Sequence, residues 1–340
     1  MKTIKTLALT CAIAVGLVSC SDNDNNDSII QNETKVLFTS NNADGNVNVY
    51  NVTNINSVMK STLETSATAA DGIYYDGSED LIVQASRSTL GLEGYAGVSI
   101  MSSAINATVT ASIMSGLNMS SPREVAVNGD FYVVADNADA DGIDITKDGR
   151  LFIYTKSGSN FTLRNIITTD IKLWGITFIG NDLYAVADTT NELAVYSNFL
   201  NNTSTTTLTA SKQIAIEGIV RTHGLTYDSM TDTMILTDIG DADSGTDGGF
   251  HVIENFNSKF NNTANGATLA VNQQTRVAGS NTVLGNPVDV AYDGSTKTVF
   301  IAEAKNGKIL AFNNINTGGN ITPVYSADLA AASAVYFYKE

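Results

Sequence analysis

Five charged or aromatic residues in four separate segments of the chain are the first candidates for chemistry. They are Arg123, Glu124, Trp174, His223 and Asp289. An arginine can hold a carboxylate through two parallel hydrogen bonds, and the flat face of the only tryptophan suits a sugar or a cation. If the fold brings them to one surface, they predict a binding site for a small molecule, a glycan or a protein. The alternative is that they pair with one another and fill the space between them.

An acidic loop is the second candidate. Its oxygen-bearing side chains alternate in the manner of a calcium-binding loop, with Gly142 at the turn; they are Asn137, Asp139, Asp141, Asp144 and Asp148. The pattern departs from the calcium loop in having Asn first and Asp, with its shorter side chain, at the twelfth position. We expect Ca²⁺ as the one possible cofactor, and the alternative is a loop of self-bonding Asx turns.

Residues for nucleophilic catalysis are harder to find. His223 could serve as a general base, but no Gly-x-Ser-x-Gly elbow accompanies it. The only cysteines are Cys11 and Cys20, both near the N-terminus, so the rest of the chain has no disulfide, thiol nucleophile or cysteine metal ligand. We therefore favour a non-catalytic binding or interaction module over an enzyme.

A degenerate repeat sets the elements that must position these residues. One unit has an alternating first strand, a second strand that ends in small and acidic residues, and a third strand with an aromatic residue. The clearest copy reads Trp174-Gly-Ile-Thr-Phe178, Asp182-Leu-Tyr-Ala-Val-Ala-Asp188 and Glu192-Leu-Ala-Val-Tyr196. The first strands start at Asp71, Arg123, Trp174, His223, Val288 and Ser333. Between copies there is room for a fourth strand, as at residues 161–168 and 273–278.

The repeat predicts an all-β fold, a six-bladed β-propeller over residues 35–340. The chain opens with a second-type strand at Lys35, and the missing first strand of that copy lies at residues 333–337. A closed ring explains this split, because the C-terminal strand would complete the N-terminal blade. The alternative is a seven-bladed ring, with an eroded blade around residues 254–280.

The predicted ring brings the five candidates together. First strands line the central channel of a propeller, so their starts converge on one face. Arg123, Trp174 and His223 hold the first position of their strands, whereas Glu124 and Asp289 hold the second position, where other copies have Gly or Ala. Large or charged residues at equivalent positions on a concave surface favour a ligand pocket.

The strand pair quoted above, Leu183 to Asp188 with Glu192 to Tyr196, resembles the NHL-type propeller repeat, and the resemblance runs weakly through residues 35–340. Some six-bladed propellers, such as the gluconolactonase family, are calcium-dependent lactonases with one metal in the channel. That similarity implies an alternative function, a lactonase-like hydrolase, in which Glu124 and Asp289 would contact the metal. The Asn of that family's ligand set has no clear counterpart in this sequence.

The N-terminus predicts export. Lys2 and Lys5 precede an apolar stretch that is too short to span a bilayer, and Leu17-Val18-Ser19-Cys20 follows. This ending resembles the lipobox of bacterial lipoproteins, which implies a signal peptide at residues 1–19 and lipidation of Cys20 with acyl chains such as palmitate. An ordinary signal peptide with a stray cysteine is the alternative.

Residues 20–34 should form an acidic, disordered tether. The run from Asp22 to Asp27 resembles the signal that sends Bacteroidetes lipoproteins to the outer leaflet. We expect a lipid-anchored outer-membrane protein at the cell surface; the inner leaflet of the outer membrane is the alternative.

Charge limits the partners. The formal net charge is −16, and loss of Lys2 and Lys5 with the signal peptide lowers it to −18. Such a polyanion repels phosphate backbones, so nucleic acid is not expected as a partner. The membrane should be reached through the N-terminal lipid only.

Overall fold

The structure is a computed structural model that describes residues 33–101, 106–143 and 145–340. The predicted signal peptide, Cys20 and most of the tether lie outside the described residues, as does Asp144. Residues 33–340 belong to one compact unit. Among the residues described, no helix has the length and apolar character needed to cross a membrane.

Strands dominate the described residues. In chain order they are β1 Lys35–Asn41, β2 Val47–Asn51, β3 Met59–Glu64, β4 Ala70–Asp76, β5 Leu81–Ser86, β6 Gly91–Ala96, β7 Asn106–Thr108, β8 Ile113–Met114, β9 Pro122–Asn128, β10 Phe131–Asp136, β11 Gly149–Ser157, β12 Asn160–Thr169, β13 Leu173–Ile179, β14 Asp182–Ala187, β15 Glu192–Tyr196, β16 Thr206–Leu208, β17 Lys212–Ile216, β18 Leu225–Asp228, β19 Thr233–Asp238, β20 Gly249–Glu254, β21 Thr268–Leu269, β22 Thr275–Ala278, β23 Pro287–Asp293, β24 Thr298–Glu303, β25 Lys308–Phe312, β26 Tyr325–Asp328 and β27 Ala332–Lys339. The α-helices are α1 Val98–Met101 and α2 Phe256–Asn262, and short 3₁₀ turns lie at Phe199–Asn201, Val271–Gln273, Ser280–Thr282 and Ile315–Thr317.

The described strands fall into six antiparallel four-stranded units, the blades of a β-propeller. From the inner strand outward, blade 1 is β27-β1-β2-β3, blade 2 is β4-β5-β6-β8, blade 3 is β9-β10-β11-β12, blade 4 is β13-β14-β15-β17, blade 5 is β18-β19-β20-β22 and blade 6 is β23-β24-β25-β26. A single parallel bridge between Met114 and Asn160 joins blades 2 and 3 at their outer edges. The predicted all-β propeller is therefore confirmed.

The ring closes as the split repeat predicted. Strand β27 pairs antiparallel with β1, from Lys339 opposite Lys35 to Ala332 opposite Asn41. Each inner strand contacts the next, and β23 of blade 6 contacts β27 of blade 1. The C-terminal strand thus completes the N-terminal blade, and closure removes the free edges that an open array would expose.

Period-2 alternation explains why the second strands read as continuous apolar runs. In β14, Leu183 and Ala185 face the apolar cluster between blades 3 and 4, whereas Tyr184 and Val186 face the cluster between blades 4 and 5. Both faces of a blade are therefore buried, so both sets of alternate residues must be apolar. The described residues contain one such cluster between each pair of neighbouring blades, including blades 6 and 1.

The long interval before Val288 is filled by an insertion. Residues 254–280 hold α2, β21, a 3₁₀ turn and β22, so this part of the described chain adds no seventh four-stranded unit. Phe256 and Phe260 of α2 pack into the cluster between blades 4 and 5, and β21 adds a parallel strand to the outer edge of blade 4. β7 and β16 extend the outer edges of blades 1 and 3 in the same way.

Candidate functional site

The starts of the inner strands form one rim of the central channel, called here the mouth. Arg123 lies on β9 and Trp174 on β13, as the repeat predicted. His223 does not lie on a strand, because β18 begins only at Leu225. It still occupies the equivalent place, since the Gly175 N–H donates to the His223 carbonyl oxygen at 2.9 Å.

Three of the five candidates form a layered stack at the mouth. The rings of Trp174 and His223 are 3.5 Å apart and 6° from parallel. The guanidinium carbon of Arg123 lies 4.0 Å from the centroid of the Trp174 ring. Two groups this close to one centroid would overlap on a single face, so they cover opposite faces of the indole. Neither face of Trp174 is left for a sugar or a cation unless Arg123 or His223 moves.

Arg123 is also held by charge. Its Nη1 donates to Asp71 Oδ2 at 3.1 Å, and Arg87 Nη1 donates to the same oxygen at 3.3 Å. Asn42 donates to the other Asp71 oxygen at 2.5 Å. Burial raises the pKa of Asp71 from its ordinary value, although Arg123 and Arg87 oppose the shift. Asp71 thus engages one nitrogen of the fork that was predicted for a ligand carboxylate, while Arg123 Nε is buried with no hydrogen-bond partner.

His223 is fixed by a carboxylate that the sequence reasoning missed. Its Nε2 lies 3.0 Å from Asp188 Oδ1, and Arg221 Nη2 donates to the same oxygen at 3.0 Å. Burial lowers the pKa of His223 to about 4, against the opposing effect of Asp188. Burial alone would raise the pKa of Asp188, but the hydrogen bond and charge of His223 hold it below its usual range. At neutral pH the ring is therefore neutral.

Asp188 could have been found from the repeat, because second strands regularly end in an acid. Asp136 and Glu303 use that position to accept backbone N–H groups of the loop entering their own blade. Asp188 instead accepts side-chain donors of the next blade, Arg221 and His223. The repeat therefore marked Asp188 as an acid at the end of a second strand, but the sequence alone did not show that its partners are side chains of the next blade.

Glu124 and Asp289 lie one residue further along their strands and share the channel. Asp289 is 5% exposed, and its Oδ2 accepts the Val335 N–H at 2.8 Å. Glu124 Oε1 accepts the N–H of Val125 at 2.8 Å. Burial raises the pKa of Asp289 to about 7. Burial, and then the charge of Asp289, raises the pKa of Glu124 well above its usual range.

The small residues at the other second positions have a packing reason. A Cβ on Gly72 would lie 2.5 Å from the backbone nitrogen of Val125, and one on Gly224 would lie 2.6 Å from the Cα of Asp289. At Gly72 and Gly224 the inner strands approach one another too closely for a side chain. Glu124 and Asp289 are therefore departures from a constraint that their neighbours obey.

A cavity of about 330 Å³ follows the channel below the mouth. It is lined by residues of all six inner strands, including Glu124 and Asp289 at one end and Tyr227, Tyr292 and Tyr336 towards the other. The structure thus brings all five sequence candidates to the mouth or to the channel just beneath it.

The acidic loop connects β10 and β11 on the same side of the ring. Ligand oxygens of Asp139, Asp141 and Asp148 lie within 4.8 Å of one another, so the described chain holds three of the five predicted calcium ligands as a cluster. Asn137 lies apart from them in its contacts: its amide donates to the Leu173 carbonyl at 2.5 Å and to Asp188 at 3.1 Å. Asx turns also shape the loop, since Asp139 Oδ1 accepts the N–H groups of Asp141 and Gly142.

The fold and the mouth define a β-propeller protein whose channel entrance is filled by its own polar side chains. No protein-family model and no curated protein sequence matches the chain. Solved structures do match it. A propeller in a crystal structure of a nidogen/laminin complex shows a TM-score of 0.59 at 12% identity, covering 89% of this chain and 98% of that one.

Two further structures are putative 6-phosphogluconolactonases from Bacteroides. The one from Bacteroides fragilis has a TM-score of 0.58 at 9% identity, covering 92% of this chain and all, 100%, of that one. The one from Bacteroides uniformis has a TM-score of 0.57 at 10% identity, covering 91% and 100%. At these identities the likeness concerns the fold alone.

Proposed function

We propose that the propeller is a non-catalytic module that binds a small molecule, a glycan or a protein at the mouth of its channel. One observation carries this proposal. Asp71, Arg123, Trp174 and His223 come from four consecutive blades and form one connected network of ion pairs and stacked rings. A structural plug needs only bulk, whereas this network places exchangeable polar contacts at the entrance of a cavity.

The histidines support a non-catalytic reading. Acyl transfer requires a base that is hydrogen-bonded to a nucleophile. In the described chain, His223 Nδ1 and His251 Nε2 have no hydrogen-bond partner, and the other nitrogen of each ring is taken by Asp188 and by Gln274. No hydroxyl is therefore activated by either ring in this arrangement.

The cellular location is also part of the proposal. The lipobox-like ending at Cys20 and the acidic run after it favour a lipid-anchored protein of the outer membrane, displayed at the cell surface. A strongly negative chain suits that place and does not suit nucleic acid.

A calcium-dependent lactonase is the second candidate, favoured by one observation: Glu124 and Asp289 face the same cavity. The fit to a metal is incomplete. The cluster of three carboxylate ligands in the described chain lies on the acidic loop instead. The amide groups of Asn42 and Asn137 donate to Asp71 and Asp188, which belong to the mouth and not to the channel pair. Bound Ca²⁺ would serve there as a Lewis acid.

Trp174 emission tests the proposal, because one tryptophan reports alone. We expect a ligand from a panel of oligosaccharides, peptides and lactones to change emission and iodide quenching as it displaces Arg123 or His223. Arg123→Ala should weaken that response. Arg164→Ala is the matched control, since Arg164 lies on the outer strand β12 over Phe131. Emission that is indifferent to every ligand, with iodide quenching unchanged, would show that the network is only a plug.

A further inference from the structure

The cavity in the channel is lined by carboxyl groups and aromatic rings but by no basic side chain. Its charged lining residues are Glu124, Asp228 and Asp289, and its aromatic ones are Tyr74, Phe178, Tyr227, Tyr292, Tyr336 and Phe337. A volume of about 330 Å³ is at the lower end for a small-molecule site. The lining therefore selects for positive charge combined with apolar surface.

Asp289 and the half-buried Glu124 have neither a countercharge nor a full set of hydrogen bonds. The buried Glu93 and Glu303 also lack a cation, but Glu93 accepts two hydroxyl groups and Glu303 accepts four backbone N–H groups. Asp71, Asp188 and Asp293 each lie in an ion pair, with Arg123, Arg221 and Lys35 respectively. In the described chain, Glu124 and Asp289 accept only backbone N–H groups. Burial without a cation disfavours the ionised form of this pair, as the raised pKa values of both groups show, and a bound cation would stabilise that form.

An organic ammonium ion fits the pair better than a metal ion does. Calcium takes six to eight oxygens, and the channel pair is not part of a three-carboxylate cluster in the described residues. An ammonium group has three N–H donors to share among a few acceptors. The rings of Tyr74 and Tyr336, 5.1 Å apart, line the same cavity and suit a carbon chain or a cation over an aromatic face.

Access should be from the end opposite to the mouth. At the mouth, Arg123, Trp174 and His223 interlock. At the other end, Tyr227, Asp228 and Phe337 are partly exposed, and a second groove of about 420 Å³ shares Asp228 and Phe337 with the channel. A ligand can thus enter between the aromatic residues with its charged group leading.

We propose that the channel binds a compact organic ammonium ion, with the charged group between Glu124 and Asp289 and the carbon chain along the aromatic end. This inference rests on the proposed binding function and names a ligand class for the carboxylate part of that site. It also separates two ends of the channel: polar contacts at the mouth, and a cation site beneath it.

Calorimetric titration tests the assignment, with n-butylammonium, its neutral analogue 1-butanol and CaCl₂ as probes. We expect n-butylammonium to bind once per chain and 1-butanol not to bind. Glu124→Gln and Asp289→Asn should each weaken n-butylammonium by roughly tenfold or more, as for loss of a hydrogen bond to a charged group. Tyr336→Leu should weaken it too, whereas Asp130→Asn, at an exposed turn, should not.

Three results would overturn the assignment. They are equal binding of n-butylammonium and 1-butanol, unchanged n-butylammonium affinity in folded Glu124→Gln and Asp289→Asn, and Ca²⁺ binding that both variants abolish. Melting curves of each variant show whether it is folded. If n-butylammonium fails while Trp174 emission still responds to the panel described above, the ammonium site falls and the binding function at the mouth stands.

Discussion

Replacing Asp289 by asparagine should change how the stability of the fold depends on pH. Burial raises the pKa of Asp289 to about 7, whereas an aspartate in an unfolded chain titrates at about 3.9. Between these values the folded chain binds a proton that the unfolded chain has lost. The free energy of unfolding therefore falls as pH rises towards and through about 7. The asparagine side chain has no charge to bury and keeps an oxygen for the Val335 N–H.

The size of the effect follows from the shift. A difference of about 3 pKa units at ~1.36 kcal/mol each gives roughly 4 kcal/mol of destabilisation above pH 8. About one unit of this shift lies below pH 5, so roughly 2.7 kcal/mol is lost between pH 5 and pH 8.5. At about 2 °C per kcal/mol for a chain of this size, Asp289→Asn should gain roughly 5 °C in Tm over the wild type across that range. Glu124, which faces Asp289, ionises more readily in the variant and adds to the gain.

The two histidines titrate within the pH range of this assay, so their contribution must be subtracted. His223 and His251 have pKa values lowered to about 4 by burial, below the unfolded value near 6.5. Their contribution to stability is lost as pH falls from about 6.5 to about 4, opposite in sign to that of Asp289. The measurement is therefore the difference in Tm between variant and wild type at each pH, with Asp130→Asn as the control. A difference that stays constant from pH 5 to 8.5 would refute the reasoning.

Three further outcomes are expected. Deletion of residues 333–340 should abolish cooperative melting, because β27 is the inner strand of blade 1 and closes the ring; a truncated chain with the wild-type Tm would contradict this. Calcium chloride at ~100 times its Kd should stabilise the fold by about 2.7 kcal/mol and so raise the Tm. Asp139→Asn should remove this rise, and an equal rise in the variant and the wild type would show that calcium binds elsewhere. Cys20→Ser should move the protein from the membrane fraction to the soluble fraction, and a variant that stays in the membrane fraction would refute lipid anchoring at that residue.

The propeller could be predicted because its constraints are local and repeated. Runs such as Leu183 to Ala187 are apolar at every position, which a strand buried on both faces requires. The split first copy predicted ring closure, since a lone second strand at Lys35 needs an inner partner. The long interval before Val288 misled only in suggesting another blade, because α2 fills space that strands would otherwise occupy.

The position of the site was predictable from the sequence, but the partners of its side chains were not. Equivalent repeat positions placed Arg123, Trp174 and His223 at one rim. Their partners depend on distances across blades, which the sequence does not contain: Arg123 turns to Asp71, and His223 turns to Asp188. The stack that covers both faces of Trp174 follows from those pairings, and so the exposed stacking face that the sequence suggested is absent from the described arrangement.

Ring closure by the last strand also fixes the order in which the molecule can be finished. A ribosome releases the N-terminal side of a chain first, so β1 emerges long before β27, its inner partner. Until then, the apolar residues of β1 on the blade 6 side, such as Leu37, have no finished neighbour to pack against. A chain without β27 therefore keeps the inner edge of β1 unpaired and remains accessible to proteases and to chaperones. The closing strand thus makes synthesis through β27 a condition of ring closure, and a chain that terminates before it is recognisable by its unpaired strand.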